Sequence, residues 1–235
     1  MGIAGYLRGR REGAGLSRGE LARRAGVSVG LIQKIEQGRR APTGEALAAL
    51  FDALGVPAVY REYASSVLQP GLTRVAGVEG GPGRAELDFL EGMPHPAAYQ
   101  VAPAMDLVAV NGAFARAFPG LGSGGNVIEW LLFDPRARVV IEDWEREVHV
   151  AVQAFRHMSA GYVSPERVEE IIGVCSRSAD WGRLWSTDIG AVDFDWRPVR
   201  IRPVEGGEWT AMHVQVLRFE VPRRGWSLYS MVPIP

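Results

Sequence analysis

Three groups of residues in this chain have types and spacings that can do chemistry. The first is a basic block. Residues 1–42 hold nine basic side chains (Arg8, Arg10, Arg11, Arg18, Arg23, Arg24, Lys34, Arg39, Arg40) against three acidic ones (Glu12, Glu20, Glu36), a net of +6. The whole chain carries −1, so the remaining residues carry −7. A cationic end on an acidic body suits a polyanion bound at that end only, although a basic surface helix has the same composition. The second group is Glu142, Glu145 and His149, which share a helix face and could hold a metal ion. No second His or Cys completes that set, so an exposed ion-pair stripe is the plainer reading. The third group is aromatic. Six of seven tryptophans (130, 144, 181, 185, 196 and 209) fall within residues 130–209. With Phe133, Met212 and Val214 they can wall an apolar space, though such aromatics are more often plain core.

Enzymatic constellations are not evident. Ser123 lacks a Gly-x-Ser-x-Gly elbow, and Cys175 has no His near it in sequence. The Gly-rich stretches at 77–83 and 119–125 lack the registers that cradle phosphate. A single cysteine excludes an intramolecular disulfide and any Cys-based zinc site, so Cys175 reads as a buried small hydrophobe. A non-enzymatic protein that requires no cofactor is expected.

The elements that position these groups fall into two parts. Ile3, Tyr6 and Leu7 mark a helix over residues 3–12, and Ser17 with Glu20 fits a capping box before a second. Ser28 and Thr43 cap two more, stopped at Gly38 and Gly55. A fifth is expected over 60–68, completing an all-α domain over 1–68. Five glycines and two prolines in residues 69–84 read as a linker. Residues 85–235 mix helix and strand. Helices are expected around Leu87 and Leu90, after Asn111, over Val127–Phe133, as one long helix from Pro135 through Phe155, after Ser164, and over Asp180–Trp185. Strands are expected at 98–102, 106–110, 192–196, 209–219 and 226–232, from their period-two patterning. The sum is an α+β domain with a five-stranded antiparallel sheet and helices on one side. No apolar run reaches the roughly 18–20 residues of a membrane span, and the start MGIAGYLRGR lacks a secretory core. A soluble cytoplasmic protein is expected.

The stretch LSRGELARRAGVSVGLIQKIEQGRRAP resembles the helix-turn-helix of the Xre, or lambda-repressor-like, family. Leu16, Glu20-Leu21-Ala22, Gly26-Val27-Ser28, Ile32, Ile35-Glu36, Gly38 and Pro42 carry the likeness. The resemblance implies a second helix lying in the DNA major groove, with Val29, Gly30, Gln33 and Lys34 facing base edges. Lys34 can donate to guanine, Gln33 can pair with adenine, and Val29 can pack on a thymine methyl, while Gly30 allows close backbone approach. Ser28, Arg18, Arg39 and Arg40 occupy positions where that family contacts phosphate. A homodimer on a palindromic operator is implied as well.

Further along, PAAYQVAPAMDLVAVNGAFARAF, VIEWLLFDPRAR and SADWGRLWSTDI resemble the C-terminal part of MmyB-like regulators, which are Xre-type proteins with a PAS-like domain. Asn111, the block Leu131 to Pro135, Trp181 and Leu184-Trp185 match best. This likeness implies a small, elongated apolar effector, fatty-acid-like and able to bear a carboxylate. The expected pocket residues are Trp130, Phe133, Trp181, Arg183, Trp185, Met212, His213 and Val214, with Arg183 and His213 as carboxylate anchors. The expectation is a ligand-responsive, DNA-binding transcription regulator. The alternative is a DNA-binding regulator whose second domain is a ligand-free dimerisation or protein-interaction module.

Overall fold

The computed structural model describes residues 3–56, 61, 80–159, 163–189, 198–219 and 224–235. Contacts divide the chain into two units, residues 1–74 with 156–168, and 75–155 with 169–235.

In the first unit, polar caps start helices and left-handed glycines end them. Helix α1 spans Ile3–Gly13, α2 Arg18–Ala25, α3 Val29–Glu36 and α4 Gly44–Ala53. Ser17 Oγ accepts from the Glu20 amide at 3.1 Å, and Glu20 Oε2 accepts from the Ser17 amide at 2.8 Å, so the capping box forms. Ser28 and Thr43 cap α3 and α4 in the same way. Gly26, at φ 64°, turns the chain between α2 and α3 in a conformation that a side chain resists. The four helices share a core of Leu7, Leu21, Ala22, Ile32, Ile35, Leu47, Leu50 and Phe51. The helix expected over 60–68 lies outside the described residues apart from Arg61, as does residue stretch 69–79 of the expected linker.

The second unit opens with helix α5, Arg84–Glu91, followed by strands β1, Ala97–Val101, and β2, Asp106–Val110. Helices α6, Gly112–Ala117, and α7, Val127–Phe133, come next. Then follow α8, Ala137–Val140, α9, Trp144–Met158, α10, Pro165–Cys175, and α11, Trp181–Ser186, with residues 156–158 of α9 and 165–168 of α10 counted in the first unit. Strands β3, Val199–Ile201, β4, Thr210–Arg218, and β5, Ser227–Pro233, complete an antiparallel sheet in the order β2-β1-β5-β4-β3. The α+β reading with a five-stranded antiparallel sheet therefore holds, but helices cover both sheet faces rather than the one side expected. One sheet face packs Tyr99, Trp226 and Leu228 with Leu90 of α5. Alternate residues face the other way, toward the helices that follow.

One further expectation is corrected and another is not tested. The single helix expected from Pro135 through Phe155 is broken into α8 and α9. The break occurs because Ile141 is extended and bridges Ile201, while the Glu142 amide donates to Arg200 O and the Arg202 amide to Val140 O. Edge strand β3 thus takes backbone that helical periodicity assigns to a helix. The strand expected at 192–196 lies wholly within residues 190–197, outside the described residues. Cys175 is buried at the end of α10. Among the described residues, no helix is long and apolar enough to cross a membrane.

Candidate functional site

Helix α3 has two faces. Ile32, Ile35 and Glu36 are buried, whereas Val29, Gly30, Gln33 and Lys34 are exposed. These exposed residues are the four expected to face bases, and the helix presents them on one accessible side. Ser28 Oγ accepts from the Leu31 amide at 3.1 Å. A hydroxyl that accepts keeps its proton, so Ser28 retains a donor for a phosphate oxygen. Arg39 and Arg40 are exposed in the turn after α3. Around Gly30 a Cβ would meet nothing within 4 Å.

Arg18 sits differently. Its Nε donates to Glu36 Oε2 at 2.7 Å, while Arg11 donates to the same carboxylate through Nε at 2.6 Å and Nη2 at 3.2 Å. Arg11 Nη1 also donates to Leu16 O at 2.8 Å. Burial opposes the charge on Glu36, but hydrogen bonds and charges from Arg11 and Arg18 outweigh it and hold the carboxyl below its usual range. This cluster joins α1, the start of α2 and the last residue of α3, and so fixes the exposed helix on its scaffold. Sequence spacing marks Glu36 as part of a motif, but its two partners, 25 and 18 residues away, emerge only in three dimensions.

In the second unit a cavity of about 410 Å³ lies between sheet and helices. Strand register builds its floor. Tyr229 pairs with Ala98 and Val216, and Met231 with Val214, so Gln100, Val214, Val216, Tyr229 and Met231 share one sheet face. Phe114 of α6, Val127, Trp130 and Leu131 of α7, and Glu147, Val150 and Ala151 of α9 form the opposite walls.

Two buried asparagines place those helices. Asn111 Oδ1 accepts from the amides of Ala97 at 3.1 Å and Phe114 at 2.8 Å. Its Nδ2 donates to the carbonyls of Met93 at 3.0 Å and His95 at 2.9 Å. Asn126 Oδ1 accepts from the Ile128 amide at 3.0 Å, and its Nδ2 donates to Ala104 O at 2.7 Å and Asp106 Oδ1 at 2.8 Å. Each residue caps a helix and ties it to neighbouring backbone. Trp130 Nε1 donates to Pro119 O at 3.1 Å, which orients its ring in the cavity wall.

Of the residues expected at the pocket, Trp130 and Val214 line the cavity, and the other six do not. Phe133, at the end of α7, is 46% exposed. Trp181 and Trp185, one helical turn apart on α11, stack with centroids 5.0 Å apart. Met212 is buried between Val199 and Pro233, its partners in the sheet. His213 falls on the opposite face from Val214 because strand side chains alternate. Arg183 is drawn to Glu145 at 2.8 Å and Asp180 at 3.4 Å, beside a separate polar recess that also includes His149. The group Glu142, Glu145 and His149 is spread among different partners. Glu142 pairs with Arg200 at 3.0 Å, Glu145 with Arg183, and His149 Nε2 lies 2.9 Å from Thr187 O.

Comparison with known families places both units. The family described as helix-turn-helix domain matches residues 3–64. The family described as MmyB-like transcription regulator ligand binding domain matches residues 84–235, well over half of the chain. The chain belongs to the MmyB-like transcription regulators. No curated protein matches it. This MmyB-like protein combines a helix-turn-helix DNA-binding domain with a ligand-binding domain, the make-up of a transcription regulator that responds to a small molecule. Every wall of the cavity falls inside the ligand-binding match.

Three polar side chains interrupt the apolar lining of the regulator's cavity. Gln100 is only 7% exposed. Among the described residues, neither its side-chain amide nor the Tyr229 hydroxyl has a hydrogen-bond partner. Burial pushes the Tyr229 phenol far above its ordinary range, and the Glu147 carboxylate adds to the shift. Sequence reasoning passed over all three, since Gln100 and Tyr229 lie in strands that read as core and Glu147 in a helix that reads as a charged face.

Proposed function

We propose that this MmyB-like regulator binds a palindromic operator as a homodimer and is switched by an elongated apolar effector held in the sheet–helix cavity. The single observation that carries the reading is an almost wholly apolar, ligand-sized cavity within the matched ligand-binding domain. Val29, Gln33 and Lys34 read base edges, and Gly30 lets the backbone approach. Ser28, Arg39 and Arg40 hold phosphates, and Arg18 adds the guanidinium nitrogens that Glu36 leaves unused. A fatty-acid-like hydrocarbon chain is the kind of body these walls accept. The cavity supports that body through Leu107, Phe114, Phe118, Trp130 and Met231.

Effector binding acts on the operator only if the effector prefers one of two dimer arrangements, which set the spacing of the two α3 helices. The test has two steps. Random-sequence DNA is selected on the purified protein, and the selected site is then titrated with and without compounds extracted from that protein. The expected outcome is an enriched inverted repeat, and a shift in its affinity when the extract is added. Selection that enriches no sequence removes the operator assignment. An enriched site whose affinity no extracted apolar compound shifts leaves a ligand-free second domain as the reading instead.

A further inference from the structure

Helix α9 contributes residues to both units. Glu147, Val150 and Ala151 wall the cavity from its middle, while residues 156–158 at its end are counted in the first unit. Within that unit His157 is buried, and its Nδ1 lies 2.9 Å from the Tyr6 hydroxyl of α1. The two rings meet edge to face with centroids 5.9 Å apart, and Tyr6 packs on Phe51 of α4 in the same manner at 6.4 Å. Arg11, also buried on α1, holds Glu36 at the end of α3. Ala151 and His157 are six residues apart, about 9 Å along a helix axis. A helix carries a displacement over that length unless proline, glycine or a bulge lets it bend. From Trp144 to Met158 the sequence WEREVHVAVQAFRHM holds neither proline nor glycine.

We infer that α9 is the element through which an effector in the cavity acts on the DNA-reading helix, with the Tyr6–His157 contact as its joint to α1. This rests on the reading that the cavity is the effector site. The side chains that meet an effector and the side chain that meets Tyr6 stand on one helix. An occupant that displaces Glu147, Val150 or Ala151 therefore strains or relieves the contact at Tyr6. Close-packed contacts of this kind yield by switching between discrete packings, not by deforming continuously, so a small shift at the cavity gives a definite change at α1. Arg11 and Glu36 then pass that change from α1 to α3.

The test follows amide hydrogen exchange in the full chain, empty and saturated with decanol as an apolar probe, in wild type, Ala154→Gly and Tyr6→Phe. Ala154 lies between Ala151 and His157 and does not line the cavity, so glycine there softens α9 between its two points of contact. Tyr6→Phe keeps the ring and removes the hydroxyl beside His157. In wild type, decanol is expected to slow exchange in β5 and α7, which wall the cavity. It should also change exchange in α1 and α3 by at least about fivefold, the lower end of allosteric couplings. Both variants should keep the slowing in β5 and α7. Ala154→Gly should abolish most of the change in α1 and α3, and Tyr6→Phe should reduce it. Slowing confined to the cavity walls in wild type, or a change in α1 and α3 that survives both variants, overturns α9 as the route and leaves the cavity as the effector site. Unchanged exchange in β5 and α7 overturns the cavity reading and the route together.

Discussion

At the scale of single residues, the exposed face of α3 divides into groups with separable effects. Lys34→Ala should relax preference at one base pair, whereas Arg39→Ala should weaken all sequences and flatten the salt dependence by about one unit. Binding of selected and random DNA across a salt series distinguishes the two. Gly30 sits in open space at the start of α3, so Gly30→Ala should stabilise the helix by about 1 kcal/mol. If the backbone there approaches DNA closely, the same change should weaken operator binding, so that stability and affinity move in opposite directions. Glu36 behaves differently because its carboxylate is 2% exposed between two guanidinium groups. Glu36→Gln should cost about 3–5 kcal/mol, since it leaves buried positive charge unmatched. The native carboxyl lies below its unfolded value of 4.5, so its contribution is complete above about pH 4.5. That contribution is lost as the pH falls through the lower native value. Urea unfolding of wild type and Glu36→Gln from pH 7 downward should show two midpoints that converge in acid.

At the scale of elements, the caps and the broken helix decide where the cavity walls stand. Asn126 caps α7, which carries Val127, Trp130 and Leu131 into the cavity, and it also bonds Ala104 O and Asp106. Asn126→Ala should therefore destabilise the protein by about 2 kcal/mol and loosen binding of apolar probes. Thermal unfolding and calorimetric titration would measure the two effects. Unchanged probe binding would separate the α7 cap from the cavity. Most helix starts were legible because their signals are local. Ser17, Ser28, Thr43, Asn111 and Ser164 each cap a helix within three residues of a backbone amide they accept from. The division of α8 from α9 was not legible. Val140, Trp144, Val148 and Val152 keep helical period across it, and what breaks the helix is a bridge to Ile201, sixty residues away.

At the scale of the whole molecule, the proposed coupling between effector and operator must be reciprocal. Whatever factor an effector changes operator affinity by, operator DNA must change effector affinity by the same factor. Titrating the effector into protein with and without saturating operator should return equal factors from the two directions. An effector bound equally well in both states would exclude the switch. Charge division supports the arrangement of function along the chain. The net of +6 over residues 1–42 against −7 over the remainder leaves the helix-turn-helix as the favoured docking surface for DNA.

Sequence by itself determined the parts whose signals are short-range or strictly periodic. These are the capped helices of the DNA-binding unit, the exposed face of α3, the partition into a helical and an α+β unit, and most strands of the sheet. Capping, glycine turns and alternation act within a few residues, so they can be read along the chain. Tertiary structure alone decided which side chains share a space. Trp181 and Trp185 satisfy each other, and Arg183 is taken by Glu145 and Asp180. His213 lies on the wrong face of the sheet for a cavity that Val214 lines. Gln100, Glu147 and Tyr229, distant in sequence and unremarkable in pattern, meet at the cavity because strand register and the path of α9 bring them there. Pairing choices among distant residues depend on competition in three dimensions, and a linear pattern carries no record of which competitor wins.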